Sequence, residues 1–114
     1  SLENKLEMIV EDNKYIIGVN GNVLAEAPKN YSIIDMIYIK SADRYIIYLY
    51  KYASNYTYLN VLNSDGTFVF DEVLVAASHQ PHDNNVIECY TLNRQNRKEY
   101  DIDKTTGEII EVEG

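Results

Sequence analysis

One short pattern, written three times, limits the fold of this chain more than any other feature. Tyr15 leads through Val19-Asn20-Gly21 into a segment ending at Glu26. Tyr58 leads through Asn63-Ser64-Asp65-Gly66 into Thr67 to Glu72, and Tyr100 leads through Asp103-Lys104-Thr105-Thr106-Gly107 into Glu108 to Glu111. Each time a strand-like segment reaches a polar turn closed by glycine, and a second strand ends in an acid. The glycines stand 45 residues apart (21 to 66) and then 41 apart (66 to 107). A period near 40 residues is the mark of repeated β-hairpin units.

Residue choice agrees. Tyrosine occurs 11 times and tryptophan not at all, and β-branched and aromatic residues favour a pleated, half-buried surface. Alternation at period two predicts strands over 6–11, 14–19, 22–27, 32–40, 43–52, 56–63, 67–75, 85–93, 97–103 and 107–112. Turn residues such as Asp12-Asn13, Asn20-Gly21, Pro28-Lys29-Asn30, Ser41-Ala42-Asp43 and Thr106-Gly107 separate them. In 43–52 both faces are apolar or aromatic, which marks an interior strand covered on both sides. The expected fold is all-β, with little or no helix. It is an antiparallel meander of about ten strands built from degenerate ~40-residue hairpin repeats, as a propeller-like array, barrel or sandwich.

The 114 residues suit a single domain, 1–114, with a core that needs no metal or disulfide. Ser1, Leu2, Glu113 and Gly114 read as cloning remnants outside the fold. A net charge of −8 speaks against nucleic acid as partner, because phosphate affinity comes from clustered Lys and Arg. Arg94, Arg97 and Lys98 are the only such cluster. No apolar stretch approaches the ~20 residues of a membrane span, so membrane insertion is not expected. A soluble chain is, with its compartment left open.

The hairpin around Ala53-Ser54-Asn55 can be registered by hand. A three-residue loop with Asn55 in the left-handed region sets Tyr52 opposite Tyr56, Tyr50 opposite Tyr58 and Tyr48 opposite Asn60. One face of that hairpin becomes a tyrosine ladder of Tyr48, Tyr50, Tyr52, Tyr56 and Tyr58. Such rings suit sugar stacking or a protein interface. The plainer alternative is packing against a second sheet.

Asp65-Gly66-Thr67-Phe68-Val69-Phe70-Asp71-Glu72 resembles the second half of a bacterial tryptophan-glycine (WG) repeat, without the Trp and its adjacent Gly. The run Tyr100 to Ile110 is similar to the inner hairpin of a quinoprotein-like propeller blade. Neither repeat type brings a catalytic residue to this chain, and the resemblance implies interaction or scaffolding.

Other chemistry is thin. His79 and His82, with Asp83, place two imidazoles and a carboxylate in one irregular loop, which could meet a metal ion. A solvated loop explains them as well, so no metal or cofactor is assigned. Asp101, Asp103 and Thr105 ahead of Gly107 imitate a calcium loop, but a capped turn explains the same residues. Cys89 has no local base to activate it. The expected function is non-catalytic: a module for a protein partner or self-association. The alternative is carbohydrate binding through Tyr48, Tyr50 and Tyr58, and His79 and His82 complete the candidate surface.

Overall fold

The computed structural model describes residues 4–77 and 85–113. Ten strands follow the alternating segments: β1 Leu6–Glu11, β2 Lys14–Val19, β3 Asn22–Glu26, β4 Tyr31–Ile39, β5 Arg44–Lys51, β6 Thr57–Asn63, β7 Leu74–Ala76, β8 Val86–Thr91, β9 Glu99–Asp103 and β10 Ile109–Val112. Among the described residues there is no helix, and so none long and apolar enough to cross a membrane. The strands form two antiparallel sheets, one ordered β1-β2-β3 and one ordered β10-β9-β8-β7-β6-β5-β4.

Turn chemistry sets the hairpins. Asp12 and Asn13 have φ of 51° and 62°, and Asn20 and Gly21 have 55° and 83°. Two consecutive left-handed residues make the tight connection whose twist suits a two-residue hairpin. Longer turns lean on carboxylates. Asp103 Oδ1 accepts from the N–H groups of Thr105 at 2.7 Å and Thr106 at 2.9 Å, and Asp65 Oδ1 accepts from Thr67 N–H at 2.9 Å. Bonds to the charged form hold both carboxyls below their ordinary range.

The small sheet covers one face of the large one. Ile17 of β2 is buried with Ile33, Tyr45, Ile47, Leu49, Tyr58 and Leu62, and Leu6, Tyr15, Val19 and Leu24 pack against that cluster. On the other face of the large sheet a second cluster gathers Ile39, Ile46, Leu59, Val61, Leu74, Ile87, Cys89 and Ile102. Ile39 is on β4 and Ile102 on β9, five places away in the sheet order. In a flat sheet they would lie roughly 24 Å apart, yet Ile39 lies against the turn that follows β9, 3.4 Å from where a Cβ on Gly107 would stand, so the sheet curls around this cluster. The far turns bear out the curl: Ser41 Oγ donates to Thr105 O at 3.0 Å, and Arg44 Nη1 donates to Gly107 O at 3.3 Å. The edge strands β4 and β10 are not paired with each other among the described residues.

The segment 67–75, expected to be one strand, is not. Its start bridges β6 at Leu62 and Phe68, and β7 then pairs with Thr57 to Leu59. Between the two pairings Asp71, Glu72 and Val73 leave the ladder. Asn60, only 2% exposed, holds the junction. Its Nδ2 donates to Phe70 O at 3.0 Å, and its Oδ1 accepts from Phe70 N–H at 3.3 Å and Val61 N–H at 2.8 Å.

The β5–β6 register also differs from the one read from sequence. Leu49 faces Tyr58, Tyr48 faces Leu59 and Ile47 faces Asn60, one residue away from the expected alignment. Ala53, with φ of 63°, takes the left-handed position in place of Asn55, and Ser54 N–H closes that turn on Lys51 O at 3.1 Å.

Two substitutions test this framework by urea unfolding. Asn60→Leu keeps the branched shape, with somewhat larger bulk, but strands the Phe70 and Val61 amides, and should cost about 2–4 kcal/mol. Gly66→Ala should cost more than Gly21→Ala. Both glycines sit at positive φ, a strain of about 1–2 kcal/mol for alanine, but only a Cβ at Gly66 meets backbone, 2.6 Å from Leu24 O. Equal losses would mean that the approach to Leu24 is not restrictive.

Candidate functional site: an open strand edge and a tyrosine cleft

The tyrosine ladder does not exist as one face. The register puts Tyr58 on the side of Tyr45, Ile47 and Leu49, and Tyr48 and Tyr50 on the side of Leu59 and Val61. Tyr58 is buried, its ring edge-on to Tyr31 with centroids 5.2 Å apart and its hydroxyl 2.8 Å from Ser54 Oγ. Tyr48 is half-buried, and burial raises its hydroxyl pKa. Tyr50, Tyr52 and Tyr56 remain exposed, Tyr52 most of all at 87%. His79 and His82 lie outside the described residues. Among the described residues no three His, Cys, Asp or Glu side chains could hold a metal ion together.

Tyr50 and Tyr52 instead join residues that the sequence did not single out. A cleft of about 540 Å³ opens where the ends of the two sheets meet, and Tyr15, Tyr31, Tyr50 and Tyr52 line it with Lys14, Glu26 and Asn30. Pairing places them: Ser32 faces Tyr50 and Tyr31 faces Lys51, whose Nζ is 5.9 Å from the Tyr31 ring centre. Burial, then Tyr58 and Glu72, raise the Tyr31 hydroxyl pKa, so the phenol stays a neutral donor or acceptor at ordinary pH. Rings, amides, two lysines (Lys14 and Lys29) and one carboxylate (Glu26) can bind a ligand but supply no activated nucleophile.

Cys89 is no such nucleophile. Burial, with the charge of Asp101 adding, pushes its thiol from 9.0 up to about 12, and its Sγ donates to Tyr100 O at 3.5 Å.

The second surface feature is β1. It is the outer strand of the small sheet and pairs without interruption, Leu6 with Val19 through to Glu11 with Lys14. Asn20 N–H donates to Lys5 O at 2.9 Å, so Lys5 turns its backbone toward β2. Alternation then turns Glu7, Ile9 and Glu11 the same way, and leaves the N–H and C=O groups of Leu6, Met8 and Val10 directed outward. The side chains of Leu6, Met8 and Val10 point to the face that covers the large sheet, as Leu6 and the partner residues Ile17 and Val19 do. Yet Met8 is 47% and Val10 58% exposed: they overhang the core.

The other three edges are interrupted or short. β3 carries one extra residue, Leu24, where the register with β2 shifts. β4 carries one, Ile34, opposite the step between Leu49 and Tyr48, and β10 has four residues. Bulges and short edges prevent added pairing. β1 has neither. No family model, curated protein or solved structure matches this chain, so the WG-repeat and propeller resemblances gain no support from such a match.

Two measurements follow. Tyr58→Ala should cost about 3–5 kcal/mol, as for a buried aromatic, while Tyr52→Ala should stay within about 0.5 kcal/mol of the parent. Cys89 should resist thiol reagents at pH 8 until the chain unfolds. Because its folded pKa lies above its unfolded one, its contribution to stability is whole below pH 9 and is lost as pH rises from there toward about 12. Rapid labelling of the folded chain at pH 8 would contradict the burial.

Proposed function

We propose that this protein is a non-catalytic binding module that takes an extended protein segment onto the free edge of β1. The observation that carries this reading is the uninterrupted β1 edge, with outward backbone groups and the overhanging Met8 and Val10 beside it. Strand addition uses such an edge: main-chain bonds give affinity, and the exposed side-chain row gives selectivity. The three glycine-closed hairpins are, in this reading, degenerate copies of one scaffold unit, as in the repeat proteins they resemble.

The cleft supports a second reading, carbohydrate binding, moved from the ladder to Tyr15, Tyr31, Tyr50 and Tyr52. Aromatic faces beside amide groups are the partners a sugar ring needs.

Proline separates the two. Met8→Pro removes one outward donor and no β1–β2 bond, an exchange an edge strand tolerates. Peptides selected from a displayed random library on the wild-type chain should lose binding to Met8→Pro, and should slow amide exchange at Leu6, Met8 and Val10. Peptides that bind Met8→Pro equally well would refute the edge reading. For the second reading, an oligosaccharide panel titrated against labelled protein should shift Tyr31 and Tyr50 signals, and Tyr50→Ala should abolish the shift. A panel without effect removes it.

A further inference from the structure

We infer that the segment completing the β1 edge is β1 of a second copy of the same chain, paired antiparallel about a two-fold axis through Met8. This rests on the edge reading above and names its partner. The geometry restricts the alternatives sharply. Residues directly opposite in an antiparallel pair must both turn their backbone groups toward the partner or both away. Since Leu6, Met8 and Val10 turn outward and Lys5, Glu7, Ile9 and Glu11 turn inward, a two-fold pairing of β1 with itself must centre on a residue, not between two.

Overlap and charge then choose the residue, since centring on Leu6 or Val10 pairs at most three residues of β1 with β1 of the second copy. Centring on Glu7 sets Glu7 against itself. Centring on Ile9 sets Glu7 opposite Glu11 of the second copy, twice over by symmetry. Like charges directly opposite destabilise a sheet. Centring on Met8 places Leu6 opposite Val10, Glu7 opposite Ile9 and Lys5 opposite Glu11, each twice. The Lys5–Glu11 pairs fall at positions without backbone bonds, where side chains stand closest. Lys5 Nζ already lies 3.4 Å from Glu7 Oε1 of its own strand, so in the dimer it sits between two carboxylates.

The same register answers the overhang. Met8 meets Met8 and Val10 meets Leu6 on the face where the large sheet stops, so each copy extends the other's apolar row. On the order of six main-chain bonds would form from the outward groups of Leu6, Met8 and Val10, giving a six-stranded sheet ordered β3-β2-β1-β1-β2-β3.

Charge exchange tests this. Lys5 and Glu11 are both surface residues, 78% exposed at the Lys5 side chain, so Lys5→Glu and Glu11→Lys should fold, as far-UV circular dichroism would check. In sedimentation equilibrium the wild-type chain should dimerise. Each single variant should dimerise roughly tenfold or more weakly, because each creates two like-charge pairs. The Lys5→Glu/Glu11→Lys double variant should recover the wild-type constant. An equimolar mixture of the two single variants should form the heterodimer, in which both acids of the Lys5→Glu chain face both lysines of the Glu11→Lys chain. A wild-type chain monomeric at about 1 mM, single variants that dimerise undiminished, or a mixture that fails to associate would each overturn the self-pairing. A monomeric chain whose selected peptides still require Met8 would overturn only the second copy as partner; a chain that selects no Met8-dependent peptide would overturn the edge reading with it.

Discussion

The arrangement depends on one buried amide. Asn60 lies in the middle of β6, a strand buried on both faces, and among the described residues it is the only buried polar one in the core. Its side chain substitutes for a stretch of backbone: one oxygen accepts from the Phe70 and Val61 N–H groups, and one nitrogen serves the Phe70 carbonyl. That lets β6 pair with the Gly66 hairpin on its late half and with β7 on its early half. Without such a substitute the chain at Asp71–Val73 would leave amide groups in an apolar interior, at a cost comparable to a lost hydrogen bond for each. The released loop has a use, because Val73 folds back into the first cluster while Phe70 packs on Tyr100 with ring centres 4.9 Å apart.

Three similar glycine turns consequently do three different things. At Gly21 nothing lies within 4 Å of where a Cβ would stand, and only the backbone angle asks for glycine. At Gly66 the turn meets the bulged Leu24 of β3, so the two sheets touch where each breaks its regular pairing. At Gly107 the turn meets Ala42, whose Cβ lies 2.6 Å from where a Cβ on the glycine would stand, and closes the curl of the large sheet. Arg44 ties that region together by donating to both Asn63 Oδ1 at 3.1 Å and Gly107 O. Local turn chemistry thus fixes where the chain reverses, and packing gives each reversal its partner.

This division explains what can be read from the residues alone. Strand positions follow from Asn20-Gly21, Asp12-Asn13 and the alternating runs, which act within a few residues, so nine of the ten strands lie close to the expected spans. The segment 67–75 departs from its expected strand because Asn60, seven residues upstream of Thr67, decides its course through a side-chain bond. The β5–β6 register differs because of a single position. Asn55 is the more usual left-handed residue, yet Ser54 Oγ bonds both Tyr56 N–H at 3.1 Å and the Tyr58 hydroxyl, and this favours the turn with Ala53 left-handed. One residue of slip moves Tyr58 to the opposite face and dissolves the ladder. The cleft is illegible in the sequence because Tyr15 and Tyr31 come together only when the small sheet docks on the large one.

The β1 edge shows why an exposed strand must be judged by its sheet and not by its letters. Leu6-Glu7-Met8-Ile9-Val10-Glu11 reads like any strand of this chain, and its acids alone would pass as protection against aggregation. But Glu7 and Glu11 project from positions whose backbone groups are already committed to β2, on the face opposite Met8 and Val10. They leave the outward main-chain groups unobstructed and constrain only which strand can approach, and in which register. A bulge like Leu24 or Ile34 would have closed the edge to every partner. Charges at alternate positions would close it selectively, and under the proposed strand addition it is this selectivity that separates a binding edge from a merely unprotected one.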